Sequence, residues 1–599
     1  MSRYRTSPAD LTGMPPGVPH IIANEAAERF SFYGMKAVLA VFMAKYLHFM
    51  GESAGEAMSE TRATANVHLF AFAVYVTPLL GALIADLFWG KYRTIITLSL
   101  VYVAGHAALA CMGLAGEAAW WLVAGLALIS LGSGGIKPCV SAHVGDQFGE
   151  RNAHLLPKIF NWFYFSINLG AMVSMLLTPW LLEWHGPHWA FGVPGVLMAL
   201  ATFVFWLGRG RFTHVPADRG RLSREWRKPE VRRSLWRLAP LYLFVAMFWA
   251  LFDQTGSTWV FQAQDMDRQF LGMDWLPSQV QSLNSVFVLS FIPLFAYFLY
   301  PAISRLWPLT PLRKIGLGLF LMTLSFALVA VVQAMIDAGG RPNIGWQVLA
   351  YALLTASEVM VSIVAMEFAY TQAPRTMKSL VMCFYLLAVA FGNLFTTGIN
   401  LLIEIAEPEF SENGVSAGYD VQFGTADDLA KTPDGLQFAE KPLIDQAIAS
   451  VAARVRDEGV FPKEFHFGEE SPLHYQVLNS RTVRLSHPGP DGNAKTPWDV
   501  GAVLTLPEAA TEERPGWSES LRPDTPWLER RKAELAAKDV APKEPARYAE
   551  FFSTEYYAGG GSRLEGARYF HFFAALMLAT ALLFIPYALK YRGKTYLQG

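Results

Sequence analysis

The sequence predicts an all-α membrane protein: twelve membrane-spanning helices in two six-helix bundles, with one large polar insertion. Three observations carry this. Apolar and aromatic residues make up 53% of the 599 positions, a composition unlike that of soluble domains of this length. Apolar segments of about 20 residues, enough to cross a bilayer core, centre near Leu39, Val76, Val103, Ala127, Leu169 and Leu197. A second set centres near Val245, Phe291, Leu321, Val359, Leu387 and Met577. Between the sets lies a densely basic link, RGRFTHVPADRGRLSREWRKPEVRRSLWR, from Arg209 to Arg237. Two six-span halves joined in this way are the layout of a transporter built from two related bundles.

The formal net charge of -1 hides a strong segregation of charge. Turns after the second, fourth, eighth and tenth spans carry Lys91 and Arg93, Arg151 and Lys158, Arg305 and Arg313, and Arg375 and Lys378. The alternate loops, such as GESAGEAMSE and AQDMD, are acidic or neutral. Lysine and arginine stay on the cytoplasmic side, so both termini are expected in the cytoplasm of a multi-pass plasma-membrane protein, the inner membrane in a Gram-negative cell. The opening MSRYRTSPADLTGMPPG is polar and no cleavage-site pattern follows the first apolar segment, which is therefore read as a retained helix.

The expected organisation is an N-terminal bundle over 15–208, a basic cytoplasmic linker over 209–237, helices seven to eleven over 238–403, an extracytoplasmic insertion over 404–561, and the twelfth helix with a cytoplasmic tail over 562–599. The insertion contains turn-rich SHPGPDGNAKTP, a strand-like HYQVLNSRTVRL and a helical TPWLERRKAELAAKD. Phe461, Phe465, Phe467, Tyr475 and Trp498 give it aromatic material to bury, so a small folded domain is expected there. A partner for that domain is left open.

Cys111, Cys139 and Cys383 all fall in apolar segments, which leaves no extramembrane disulfide framework. Metal-ligand spacing, a nucleophile elbow, a dinucleotide loop and a Walker A sequence are all missing. Neither an enzyme nor a self-contained ATP-driven pump is expected, and no cofactor or nucleic-acid partner, only protons as coupling ion and the lipid bilayer as surroundings.

The first span holds the most informative stretch, NEAAERFSFYGMKAVL. At about 100° per residue, Glu25, Glu28, Arg29, Tyr33 and Lys36 fall within one arc that cannot face lipid. Glu25 and Arg29 stand in the i, i+4 order that favours an ion pair. The bland reading is a buried ionic staple; the functional one is a proton and substrate site on a wet cavity, because intramembrane ionisable groups mark such sites. Lys137 follows the glycine-rich GSGG, too deep to reach water, and should pair with a carboxylate or titrate. His68 is either a packing histidine or a proton carrier, its ordinary pKa of about 6.5 suiting the second role. Glu358 with Ser362 opens an acidic, small-residue face in the tenth span that would attract an ammonium group. Tyr164 and Asn168, four apart, present neutral hydrogen-bonding groups to one cavity. Trp259, Phe261 and Tyr385 would line side-chain pockets or simply pack.

Five separated segments bear a family resemblance. Glu25-x-x-Glu28-Arg29-Phe30 followed by Tyr33-Gly34, GSGGIKPCVSAHVGDQF, FNWFYFSINLGAMVS, FWALFDQTGSTW and SEVMVSIVAMEFAYTQAPRTMKS resemble the signatures of the proton-dependent oligopeptide transporter (POT/PTR) family of the major facilitator superfamily. GALIADLFWGKYRT, with Asp86 and Lys91, resembles that superfamily's inter-span motif. The resemblance covers all but the insertion. It implies a proton-coupled symporter importing di- and tripeptides by alternating access. Glu25, Glu28, Arg29, His68 and Lys137 would then serve proton coupling. Arg29, Lys36 and Lys137 would take the peptide carboxylate, Glu358 its amino terminus, and Tyr33, Tyr164, Asn168, Trp259, Ser362 and Tyr385 the rest. Asp253 would pair with Lys36 at an outer gate. Uptake of another small anion or amphoteric solute, or a peptide-sensing receptor using the insertion, are the alternatives. Two departures stand out: the family usually has arginine at Lys36, so a bidentate fork becomes a point charge, and Thr258 replaces an arginine of the mammalian members.

Overall fold

The computed structural model describes residues 4–53, 55–217, 229–372, 378–411, 413–432, 435–468, 471–507, 523, 525–538, 547–548 and 551–591. The middle of the basic link, Arg375 and Asp539 therefore lie outside the described residues. Twelve helices are long and apolar enough to span a membrane. They are α1 (Val18–Phe49), α2 (Glu60–Trp89), α3 (Lys91–Ala110), α4 (Ala118–Gly145), α5 (Ala153–His185) and α6 (Pro187–Gly210), then α7 (Trp236–Gln264), α8 (Pro277–Leu306), α9 (Pro311–Asp337), α10 (Gly345–Ala369), α11 (Cys383–Ile403) and α14 (Ala567–Lys590). Each half packs its own core, one around Phe42, Tyr102 and Phe191, the other around Trp259, Phe326 and Phe573.

Local signals explain the helix ends. Ser59 caps α2, its hydroxyl accepting the Arg62 N–H at 3.1 Å, and Thr310 caps α9 with Pro311 in the first turn. Gly186, at φ 91°, ends α5 and Pro187 starts α6. The helix leading into α7 begins at Pro229, earlier than the expected boundary at residue 238, because proline at the first turn is pre-organised for helix and lacks only an N–H that would be unpaired anyway.

Irregular turns sit where the chemistry is. A π turn at Ser130–Gly134 precedes Lys137, another at Val359–Ile363 follows Glu358, and a 3₁₀ turn at Asp253–Gly256 interrupts α7. Such turns free backbone groups and re-aim side chains, and they recur at functional positions. The Ser130 carbonyl is taken by the Thr77 hydroxyl at 2.7 Å, which ties α2 to α4.

The insertion folds as a small α+β unit. A three-stranded antiparallel ribbon, β1 (Val415–Ser416), β2 (Leu429–Thr432) and β3 (Gly435–Gln437), leads into α12 (Lys441–Glu458). A five-stranded antiparallel sheet follows, of order β4-β5-β6-β8-β7, made of β4 (His474–Asn479), β5 (Thr482–His487), β6 (Val500–Thr505), β7 (Arg547–Tyr548) and β8 (Phe552–Ala558). Ile444, Ala447, Ile448, Val451 and Val455 form one helical stripe on α12 and bury against Val483, Leu485, Ala502 and Leu504, which alternate along β5 and β6. HYQVLNSRTVRL is a hairpin rather than one strand. Asn479 turns the chain by accepting the Arg481 N–H at 2.9 Å, an Asx turn that an alternating pattern does not reveal. α13 (Trp527–Ala537) covers the helical stretch expected there.

The insertion touches both bundles at one end. On the N-terminal side Trp527 stacks on Tyr46, ring centroids 5.9 Å apart, and lies over Gly186, where a side chain would collide with it. Arg531 caps the end of α1, donating to the Phe49 and Gly51 carbonyls at 3.0 and 2.6 Å, and Lys431 pairs with Glu56. On the C-terminal side Asn479 donates to Asp265 at 2.9 Å and Arg484 pairs with Glu565 at 2.8 Å.

Candidate functional site

The charged face of α1 turns inward. Glu25 and Glu28 are 2% and 1% exposed and share one cation: Arg29 Nε lies 2.7 Å from Glu25 Oε1 and 3.2 Å from Glu28 Oε2. Ser133, in the π turn of α4, donates to Glu28 Oε1 at 2.5 Å. Two buried carboxylates on one guanidinium leave one excess negative charge, which a single proton neutralises; charge away from water must be compensated locally.

Of the two courses expected of Lys137, pairing with a carboxylate is not seen among the described residues. Its ammonium sits over the rings of Phe32 and Tyr75, at 4.1 and 4.8 Å, and no carboxylate among the described residues lies within ion-pair distance. Aromatic faces hold a cation by quadrupole attraction without neutralising it. Lys137 is thereby left without a carboxylate partner among the described residues.

Lys36 and Asp253 join the two halves. Lys36 Nζ lies 2.6 Å from Asp253 Oδ1, with both side chains nearly enclosed. Asn393 donates its amide N–H to Asp253 Oδ2 at 2.8 Å and to the Val389 carbonyl at 3.1 Å, which turns its oxygen to His68 Nδ1, 2.8 Å away. The hydrogen of neutral His68 therefore belongs on Nδ1, and Nε2 presents a lone pair to Ser257 Oγ at 3.1 Å. His68 is 0% exposed and links α2, α7 and α11 in one node. More bonds close the same end of the molecule: Gln281 donates to the Ala37 carbonyl, Gln279 to that of Leu176, and Arg62 pairs with Glu404.

Glu358 occupies the C-terminal half, its Oε2 accepting from Asn284 Nδ2 at 2.8 Å. Tyr33 and Tyr164 lie near enough to Glu358 to feel its field, and Tyr33 also feels that of Arg29, so the phenols stand between the two poles. Asn168 turns its amide back to the Tyr164 carbonyl at 3.0 Å. Tyr385 donates to Ser362, to its carbonyl and its hydroxyl, both at 3.1 Å. The π turn gives Ser362 to Tyr385 rather than leaving it beside Glu358 as α-helical spacing implied. Trp259 is a correction: it is 0% exposed and packs on Phe326 and Tyr351 in the core of its own half, because the break after Gly256 rotates α7.

Tyr75, Ser133, Ser257, Asn284 and Asn393 belong to the site although the sequence did not single them out. Tyr75 stands two turns from His68 on α2, and the two asparagines are amides in apolar spans, which is the signal that was available. Lys91, of the inter-span motif, pairs with Asp146 of the fourth-span segment at 2.6 Å.

Two six-span bundles enclosing a buried site of both charge signs define a multi-pass membrane protein with the major facilitator superfamily fold. The model described as POT family matches residues 92–225 and 220–413, more than half of the chain, and the chain belongs to that family, one of peptide transporters rather than enzymes. Solute carrier family 15 member 2 of Danio rerio is 38% identical over 372 residues, 54% of this chain and 50% of that protein. The chain thus spans about half the length of the curated relatives it matches. Among solved structures, the POT family transporter PepTSo is 37% identical with a TM-score of 0.60, covering 65% of this chain and 90% of its own. A structure described as an auto inhibited POT family peptide transporter is 27% identical with a TM-score of 0.64 and covers 98% of this chain and 99% of its own, so the likeness extends over the insertion.

Proposed function

We propose that this protein is a proton-coupled symporter that imports di- and tripeptides across the plasma membrane, with both termini in the cytoplasm and the insertion outside. The observation that carries it is the two-signed site. Arg29 and Lys137 supply positive charge from one bundle, Glu358 supplies negative charge from the other, and tyrosines stand between. Such a site reads the two ends of a short peptide and is indifferent to its side chains. The family's peptide transporters and the intact Glu25, Glu28 and Glu358 favour peptides over other anions. Counterflow of labelled dialanine in liposomes tests transport, and accumulation under an inward proton gradient tests coupling; no accumulation in the unsubstituted protein sinks the symport reading.

Glu358→Gln keeps the Asn284 hydrogen bond but removes the charge. Losing a hydrogen bond to a charged partner costs about 1.5–3 kcal/mol, roughly tenfold to a hundredfold in Kd. Binding of peptides with a free amino terminus is expected to weaken by that factor and binding of acetylated peptides much less. Equal losses for both would remove Glu358 from the amino-terminal pole.

A second reading, that the insertion restrains this transporter, is favoured by the contacts it makes with both halves at the closed end. Trp527→Ala should release α13 from Tyr46, costing about 1–3 kcal/mol, below the range for a fully buried tryptophan. Faster protease cleavage within α13 and a higher counterflow rate are expected; an unchanged rate with a released α13 would count against restraint.

A further inference from the structure

A chamber of about 360 Å³, lined by polar and apolar side chains, lies between the insertion and the bundle ends. Leu478 and Arg484 of the β4–β5 hairpin roof it, Glu60 and Asp265 stand at its sides, and Thr64 and Thr258 lie toward the bundle. This deep end adjoins the histidine node. Thr64 is one helical turn before His68 on α2, and Thr258 follows Ser257, whose hydroxyl meets His68 Nε2. α11 lays a second polar track beside it. Asn393, Thr396, Thr397 and Asn400 are spaced i, i+3, i+4 and i+7 and are 0%, 0%, 4% and 1% exposed. That spacing aligns them on one face, running from the Asp253 node up to the chamber, which Asn400 lines.

We propose that this chamber is the outer proton port of the transporter, with Asp265 as its accepting carboxylate and His68 Nε2 as its delivery point. This rests on the proton-coupled reading above. The Asp265 carboxylate takes a proton from outside and gives it to water in the chamber. The lone pair of His68 Nε2 then accepts a proton at the Ser257 edge, while Nδ1–H stays donated to Asn393, so one proton enters and the imidazole becomes an imidazolium. The tautomer set by Asn393 leaves Nε2, at Ser257, as the only basic atom of the ring, and Ser257 adjoins Thr258 of the chamber lining.

The surroundings of Asp265 suit a group that must both capture and release. Burial pushes its carboxyl up to about 6, with the Asp337 charge adding to the rise. Lys45 from the end of α1, Arg481 from the β4–β5 turn and the Asn479 amide hold it down. Glu60, across the chamber, faces the same Lys45 and Asp265. Asp265 is therefore ionised above pH 6 and gains its proton as the outside pH falls through about 6.

Asp265→Asn and, separately, Leu478→Trp, which fills the chamber from the roof, should each lower the initial rate of proton-driven peptide uptake several-fold. Asp265→Asn should also flatten the rise in uptake between outside pH 7 and 5 (roughly one unit either side of 6). Counterflow, which needs no net proton movement, should be unchanged in both. Unaltered uptake and pH profile in both variants would overturn the port, and so would a parallel loss of counterflow, which marks a merely structural role. Failure of the unsubstituted protein to accumulate peptide would instead remove proton coupling itself, so the two failures are told apart.

Discussion

Glu28→Gln is expected to abolish proton-driven accumulation of peptide while leaving counterflow intact. The glutamine keeps the shape of the carboxylate and still has an oxygen for the Ser133 hydroxyl, so the α1–α4 contact survives. What it removes is the charge that Arg29 must share between two carboxylates at 2.7 and 3.2 Å. On the proposed coupling, a proton on Glu28 would release part of the hold on Arg29, whose guanidinium would then take a peptide carboxylate through two parallel bonds. Loss of the proton draws it back. In the glutamine form Arg29 is always in the released condition, and binding no longer depends on the proton. One proton carried across 100 mV supplies about 2.3 kcal/mol, roughly fifty-fold accumulation before any pH difference contributes. The accumulation ratio in Glu28→Gln should fall to equality of the two sides while labelled peptide still exchanges. Uphill accumulation that survived would take Glu28 out of the coupling mechanism.

The features that could be read from the sequence are those set within one helix. Twelve spans were legible because each needs about twenty apolar residues in sequence, and the face of α1 was legible because Glu25, Glu28, Arg29 and Lys36 are fixed relative to one another by 100° steps. Partnerships across the two halves were not. His68 and Asn393 are 325 residues apart, and neither carries a local mark of the other. Lys137 was expected to pair with a carboxylate or to titrate, and the contact it makes with the rings of Phe32 and Tyr75 was not weighed, although cations over aromatic faces are common. Ser362 was placed beside Glu358 by regular α-helical spacing, which the π turn at Val359–Ile363 shifts, and Trp259, read as lining a pocket or packing, packs in the core beyond the 3₁₀ turn at Asp253–Gly256. The insertion was legible as a folded unit from its aromatic content, but its seat on Tyr46, Gly186 and Asp265 is a matter of shape between distant segments.

Asp253→Ala is expected to open the end of the molecule that carries the insertion. The Lys36–Asp253 pair is a buried ion pair across the two halves, and removing one partner of such a pair costs about 3–5 kcal/mol because the other charge is left uncompensated. A few kcal/mol also separates the alternating states of such a molecule, so the closed arrangement should lose its majority. Spin labels placed near Met50 and Leu276 should move apart, and uptake should stall because the closed state is no longer reached. Lysine makes this lock a point contact rather than a fork, and so easier to break than the usual arginine would be. His68 tightens the argument. Its imidazolium would stand two bonds from Asp253 through Asn393 and would compete with Lys36 for the same carboxylate, which gives an incoming proton a direct means of loosening the gate. The double variant Lys36→Met with Asp253→Leu separates closure from control. A well-packed apolar pair can replace a buried ion pair with little loss of stability, so the labels should come together again, now at a distance that no longer changes with pH. If the distance in the double variant still followed pH, the Lys36–Asp253 pair would not be the element through which His68 acts.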